Sequence, residues 1–437
     1  MCCGIWRLAI DFISRTQLRT HCSRNIHGGM MDRWETVALP DVLFFQEGPG
    51  VRNTQYTSSG VKLLNVANLQ DGKVDLSTSS RYISEDEAYG KYKHFLVDDG
   101  DFIIASSGIQ VDYFEKKMGF VSASQLPLCM NTSTIRFKAL DCDRLDIRFF
   151  MYYLKTPHFK AQLSRLITGS AQLNFGPSHI KKMTMPLPPL GVQRTIIDML
   201  DRAAALIEKR KVQIGKLDLL VKSRFIEVFG DPVTNPKQWP LNRLRDICDV
   251  RDGTHDSPKY VFDGFPLLTS KNFTKGFIDF TNANLISEAD FIAINKRSKV
   301  DIGDIVMPMI GTIGSPIIVD TEEPFAIKNV ALIKFPHAIV SNMYIKLLLS
   351  SHYFETAIQD SNRGGTQKFI ALGDIRNLAI PLPPLELQNK FTEFVCVVEK
   401  SKSEIMRGLN RLELLYKSLI QKCFMRRFAN ISKAHIF

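Results

Sequence analysis

Apolar residues recur at two different spacings along this chain of 437 residues, and the spacings divide it. Over about 192–229 and 387–424 they return every three, four or seven positions, uninterrupted by proline. The later series runs Phe391, Phe394, Val398, Ile405, Leu409, Leu412, Tyr416, Leu419 and Cys423. The earlier one runs Ile196, Leu200, Ala203, Ile207, Ile214, Leu217, Val221, Phe225 and Val228. Both are heptad seams with one polar gap, and each predicts a long helix with a single apolar stripe. A helix of that length spans roughly 57 Å at about 1.5 Å per residue. Over about 31–185 and 236–380 the pattern is of short β-branched or aromatic runs punctuated by Gly, Asn and Asp. Gly60–Val66, Asp101–Ala105, Ser315–Val319 and Val330–Phe335 read as strands with turns between them. A helical stretch, Leu145–Leu166 in one copy and Met343–Gln359 in the other, closes each region.

The chain repeats itself. Pro-Leu-Pro-Pro-Leu-Gly-Val-Gln at 186–193 returns as Pro-Leu-Pro-Pro-Leu-Glu-Leu-Gln at 381–388, an offset of 195. At that offset, without gaps, Gly169 and Gln172 fall on Gly364 and Gln367, and Leu217 on Leu412. Leu219-Leu220 fall on Leu414-Leu415, Lys222-Ser223 on Lys417-Ser418, and Phe229 on Phe424. Upstream, with a slightly larger offset, Trp34 matches Trp239, Leu64 and Asn68 match Leu268 and Asn272, and Gly100-Asp101 matches Gly303-Asp304. The fold class is therefore mixed α/β (α+β), two copies of one unit, each a globular head followed by a long helix. The boundaries expected are heads at 31–185 and 236–380, helix segments at 186–235 and 381–424, a leader at 1–30 and a tail at 425–437.

Two seams of equal length in one chain are expected to bury against each other, with Ile196, Leu200, Ile207, Ile214, Leu217, Val221, Phe391, Val398, Ile405, Leu409, Leu412 and Leu419 as the contact. The Gly- and Pro-broken turn at 230–236 makes the pair an antiparallel coiled coil with an internal pseudo-twofold, a head at each end of a rod. The alternative is that each helix packs only on its own head. Half-sites on opposite strands of duplex DNA share that twofold symmetry. Each head would read one half-site, the rod would limit their separation to roughly 17 base pairs, and unlike heads would make the site asymmetric.

Composition adds limits. The net charge of +11 permits an anionic partner, but +3 lies in residues 1–30 and +4 in 421–437, leaving +4 for the rest. No run of 18 apolar residues occurs, so no membrane helix is expected. Eight cysteines form no Cys-x-x-Cys pair and no zinc spacing, as expected of reduced thiols in a cytoplasmic protein. Arg7 and Asp11 break any signal peptide. Residues 1–30 read as an appended or disordered leader or an over-extended gene start, with a targeting peptide as the alternative.

The duplicated Pro-Leu-Pro-Pro-Leu-x-x-Gln, the heptad helices ending in Lys-Ser, the Trp near each head's start and the Gly-Asp turns resemble the specificity subunits of type I restriction–modification systems. The resemblance covers essentially all of 31–424. Where many members have Glu before the motif Gln, this chain has Val192 and Leu387. The resemblance implies a non-catalytic reader of double-stranded DNA with two target-recognition domains reading a split, asymmetric site. It implies partners too, two methyltransferase subunits and restriction subunits, and no membrane. S-adenosylmethionine, ATP and Mg would serve those partners, with no cofactor in this chain. The sequence agrees in lacking a phosphate loop and a methyltransferase Asn/Asp-Pro-Pro-Tyr/Phe tetrapeptide. His94, His158, His179 and His352 show no catalytic pattern.

Two loops are the candidate DNA contacts. In the first head 46–56 offers Arg52, Asn53, Gln55 and Tyr56; in the second 251–260 offers Arg251, Thr254, His255, Lys259 and Tyr260. These are donor types that reach phosphates and base edges. Ordinary solvated loops are the competing reading. Gly169-Ser-Ala-Gln and Gly364-Gly-Thr-Gln suit a turn before the repeated motif, or backbone donors to phosphate. Two other function classes compete: a self-contained modification enzyme, and a coiled-coil scaffold without sequence-specific DNA binding.

Overall fold

The computed structural model describes residues 34–108, 110–166, 175–273, 276–310, 315–359 and 370–424. The leader and tail, and the repeated Gly169–Gln172 and Gly364–Gln367 segments, lie outside the described residues. The chain divides into two compact units, 1–208 with 410–437, and 209–409.

Both units carry the same sheet. In the first, strands Leu43–Glu47, Thr134–Ala139, Phe102–Ala105 and Met118–Phe120 pair in that order, all antiparallel. In the second, Asp249–Asp252, Val330–Lys334, Ile305–Pro308 and Ile317–Ile318 repeat the order and the sense. The central strands are buried on both faces, which is why they read as unbroken apolar runs instead of alternating ones. Phe102 and Ile104 face a helical layer, while Ile103 and Ala105 face a second, smaller sheet. Likewise Ile305 and Met307 point one way and Val306 the other. The smaller sheet is Tyr82–Ile83, Val61–Leu64 and Leu128–Met130 in the first unit. Its counterpart is Tyr260–Val261, Asn284–Ile286, Phe265–Leu268 and Ala326–Ile327. Each has one parallel pairing in the same place, Leu64 with Met130 and Leu268 with Ile327.

The Gly-Asp turns are a shared lock. Gly100 and Gly303 take φ of +81° and +88°, which favours glycine. Asp101 accepts the Asp98 N–H at 2.9 Å, and Asp304 accepts that of Asp301 at 2.8 Å. Lys138 and Lys334, at matching places on the neighbouring strand, pair with the two acids of their own turn. The bond from Lys299, reinforced by Lys334, holds the Asp301 carboxyl below its ordinary range, whereas burial pushes Asp304 up. The first unit adds Arg136, buried, which spans Asp101, Gln46 and the Leu96 and His94 carbonyls; Leu332 stands in its place in the second.

The closing helical stretches are each two helices, not one. In the first unit Ile147–Tyr153 is followed by Pro157–Leu166. Pro157 lacks an N–H and disfavours helical geometry before it, so the chain breaks there. Thr156 heals the break, donating to the Tyr153 carbonyl at 2.7 Å and accepting from Phe159 N–H at 3.2 Å. In the second, Asn342–Leu349 and His352–Gln359 are separated by Ser350-Ser351, whose hydroxyls bond back to Lys346 and Leu348.

The long helices are Leu190–Phe229 and Leu385–Phe424. Both begin two residues earlier than the seams suggested, because Pro189 and Pro384 lend their carbonyls to the first turn. Gly230, at φ +83°, ends the first, and Trp239 donates its indole N–H to the Phe229 carbonyl at 2.8 Å. Each helix is shared between the units. Within the first unit Ile196, Ile197 and Leu200, near the start of one helix, bury with Ile420 and Cys423, near the end of the other. Within the second, Val221, Phe225 and Phe229 bury with Phe391, Val395 and Val398. In both units the two helices therefore run antiparallel, and both also pack on that unit's sheet and short helices.

Candidate nucleic-acid interface

The two candidate loops leave the first strand of the main sheet at the same point. Gly48 donates to Thr134 O at 2.8 Å, and Gly253 to Val330 O at 3.0 Å. A Cβ on Gly48 would stand 2.0 Å from the Asn131 carbonyl oxygen, and one on Gly253 2.2 Å from that of Ile327. No side chain fits there. The loops end alike: a Cβ on Gly60 or Gly264 would lie 2.2 Å from the carbonyl oxygen of Ile83 or Ile286. Residues 49–59 and 254–263, the latter including the short strand Tyr260–Val261, are thus segments of different sequence slung between equivalent glycine anchors.

Within them the structure sorts the candidate residues. In the first loop Arg52 and Asn53 are exposed and their side chains find no partner among the described residues. Gln55 is committed inward, donating to Glu87 at 2.6 Å and Tyr92 at 3.0 Å while accepting Arg52 N–H. Tyr56 is half-buried; its hydroxyl accepts from Asn131, and the Arg81 guanidinium lies over its ring. In the second loop Arg251 is tied to Asp249 through two nitrogens, at 2.9 and 2.6 Å, and to the Arg297 carbonyl. The bond to Asp249 raises its pKa further, so it is a fixed brace. Thr254 bridges to Lys328 and accepts Asp256 N–H. His255 is exposed yet held on both ring nitrogens, by Asp252 and Asn329 at 2.8 Å each. Buried Asp252 also pairs with Arg297. Lys259 and Tyr260 are exposed. Arg52, Asn53, His255, Lys259 and Tyr260 can therefore reach a ligand, whereas Gln55, Tyr56, Arg251 and Thr254 shape the loops.

Sequence reasoning singled out neither Lys328 nor Asn329. They lie some 70 residues downstream; Asn329 takes φ +54°, matched by Ser133 at +66°, and asparagine is a residue type that tolerates that conformation.

The repeated motif has a structural role at the root of each long helix. Gln193 is wholly buried: its Oε1 accepts from Asp146 N at 3.0 Å, and its Nε2 donates to Arg144 O at 2.9 Å and Pro188 O at 2.8 Å. Gln388 repeats this, accepting from Ser341 N and donating to Pro383 O, both at 2.8 Å. The glutamine joins the long helix to the first turn of a short helix in the same unit, using backbone groups that a helix start leaves unpaired. Val192 and Leu387, where the resemblance led one to expect Glu, do not enter this lock.

Of the seam residues, Ile196, Leu200, Ile207, Val221, Phe391, Val398 and Leu409 are buried. Ile214, Leu217, Ile405, Leu412 and Leu419 are half-buried. The polar gap between Val398 and Ile405 is filled by Lys402, which reaches Asp218 and Glu399. Partial burial works against its charge, but the bond to Asp218 raises its pKa on balance. Away from the seam (Leu219 and Leu414) or along its flank (Leu220 and Leu415), four leucines that match in the repeat are all exposed.

Among the described residues no group of three His, Cys, Asp or Glu could hold a metal ion, and no helix is long and apolar enough to cross a membrane.

A pair of equivalent heads, each followed by a locked long helix, defines the class: the chain belongs to the family described as the type I restriction modification DNA specificity domain, which it matches twice, over 31–216 and 236–414. The type I restriction enzyme EcoBI specificity subunit of Escherichia coli is 22% identical over 440 residues, covering 92% of this chain and 88% of that one. The MjaVIII specificity subunit of Methanocaldococcus jannaschii is 28% identical over 192 residues, 43% of this chain and 44% of its own. A solved structure concerned with complex assembly and conformational transition of the type I R-M system shares the fold, with a TM-score of 0.54 and 18% identity, covering 90% of this chain and 97% of that one.

Proposed function

We propose that this chain is the non-catalytic, cytoplasmic DNA reader of a type I restriction–modification complex. Each head contacts one part of a split, asymmetric site through its glycine-anchored loop, and the complex supplies methyl transfer and cleavage. The observation that carries this reading is the equivalence of the two anchored loops combined with their unlike content. One scaffold presents Arg52 and Asn53; the other presents His255, Lys259 and Tyr260. Arg, Asn, Lys and His donors suit phosphate and base-edge acceptors, and two readers in one chain gain affinity by effective concentration. The exposed Leu219-Leu220 and Leu414-Leu415 pairs support two methyltransferase subunits, one per copy of the repeat. Matched apolar pairs in water mark a docking surface. Restriction subunits join through that assembly. S-adenosylmethionine, ATP and Mg belong to the partners.

The test is selection of bound duplexes from a random pool, followed by sequencing. A bipartite, asymmetric motif is expected. Replacing 31–185 with the first head of another family member should change one half of it and leave the other. A chain that enriches no sequence is a scaffold and the proposal fails.

A further inference from the structure

The loop of the second head ends in a feature the first lacks. Phe262 is 107% exposed, its ring wholly in water, at the tip of the segment between strands Tyr260–Val261 and Phe265–Leu268. Its neighbours Tyr260 and Val261 are 55% and 36% exposed. A flexible loop would fold such a ring back onto the protein, since burying a Phe is worth about 2 kcal/mol. This tip is held out. Tyr260 and Phe265 both pair with Ile286, and Gly264 sits against the Ile286 carbonyl with no room for a Cβ. Phe265 stacks on Phe291 with centroids 4.1 Å apart and planes within 12°. The tip is therefore a braced apolar point. It stands between the same anchors as 49–59, where none of the exposed residues, Arg52, Asn53 and Thr54 among them, is aromatic.

We propose that Phe262 is a wedge that enters the base stack of the half-site read by the second head, so that this half of the duplex is deformed while the other is read undeformed. This rests on the proposed function. Phe has no hydrogen-bonding group with which to read a base edge. An aromatic ring inserted at a base step is a recurrent way of turning exposed apolar area into a kink. The rigid mount means that little conformational freedom is lost on insertion. The favoured step is a pyrimidine–purine one, which unstacks most readily.

The experiment uses the full-length chain and duplexes of its selected sequence carrying 2-aminopurine at each position in turn. Emission should rise several-fold at one step in the second head's half-site and nowhere in the first. Phe262→Ala should abolish that rise and weaken binding roughly tenfold without altering preference in the first half-site, and Phe262→Trp should retain both. Unchanged emission and affinity in the Ala variant, with selective binding intact, overturns the wedge alone. So does a loss confined to capture of methyltransferase subunits, which would assign the tip to a protein partner. A wild-type chain that selects no duplex overturns the reading beneath it as well.

Discussion

Replacing Gln193 by Leu tests the lock at the root of the first long helix. The side chain is fully buried, and Leu, of similar bulk but branched one carbon nearer the backbone, removes three hydrogen bonds without opening a large cavity. At about 1 kcal/mol net per bond, the loss is about 3 kcal/mol. The orphaned Asp146 N–H stands at the start of Ile147–Tyr153, so that helix should fray first. Gln388 makes two such bonds, and Gln388→Leu should cost about 2 kcal/mol. Urea unfolding followed by far-ultraviolet circular dichroism gives the totals, and amide exchange at 147–153 and 342–349 gives the location. Gln193→Glu is the control. Its carboxylate would face the Arg144 and Pro188 carbonyls, so it should be worse than Leu at neutral pH and recover as acid protonates it into a donor. Midpoints unchanged by Gln193→Leu, or exchange accelerated evenly through the chain, would refute the lock.

The anchors, the seam and the thiols give further tests. Gly48→Ala and Gly253→Ala should each cost at least about 2 kcal/mol, because the new Cβ meets backbone, and should weaken DNA binding in one half-site only, read by duplex selection. Lys402→Ala should cost about 1 kcal/mol, and a double-mutant cycle with Asp218→Ala should assign most of it to the pair. Because the folded-state pKa of Lys402 is raised, its contribution is complete below the ordinary value of 10.5 and is lost as pH climbs through the folded value. Brief maleimide treatment, read by peptide mass, should label exposed Cys142 and Cys396. Cys129, Cys248 and Cys423, whose thiols burial pushes up to about 12, should react only after unfolding.

What the sequence made legible was whatever local period or internal repetition encodes. The long helices follow from their seams, and the sheet strands from apolar runs such as Phe102–Ala105, which is buried on both faces. Pro157 marks the break between the two short helices, but apolar spacing resumes on its far side and masks it in the period. The seams' extra burial at Ile197, Val395 and Ile420 was not legible, since it arises where the helices also meet the sheets and short helices of each unit. The motif glutamines advertised themselves, but their partners Asp146 and Ser341 lie 47 residues back in the chain. Separation along the chain also hid the fate of Gln55, which reaches Glu87 32 residues on, and the bond from Arg251 to the Arg297 carbonyl 46 residues on. The Asp249 partner of Arg251 stands only two residues back, on the same strand. Phe262 misleads by type: Phe next to strand residues signals core, and only the strand ends around it reveal that it points away.

The glycine pairs carry a consequence for how such proteins diversify. Gly48 with Gly60, and Gly253 with Gly264, lean on carbonyls of the framework, so the chain's path is settled before and after the loop whatever lies between. Changes at exposed positions inside the bracket, such as Arg52, Asn53 and Lys259, leave the packing beneath untouched. Val51, Gln55 and Tyr56 belong to that packing and must be matched by whatever replaces them. New sequence preferences can thus be sampled as cassettes, each head evolving its vocabulary without renegotiating its grammar.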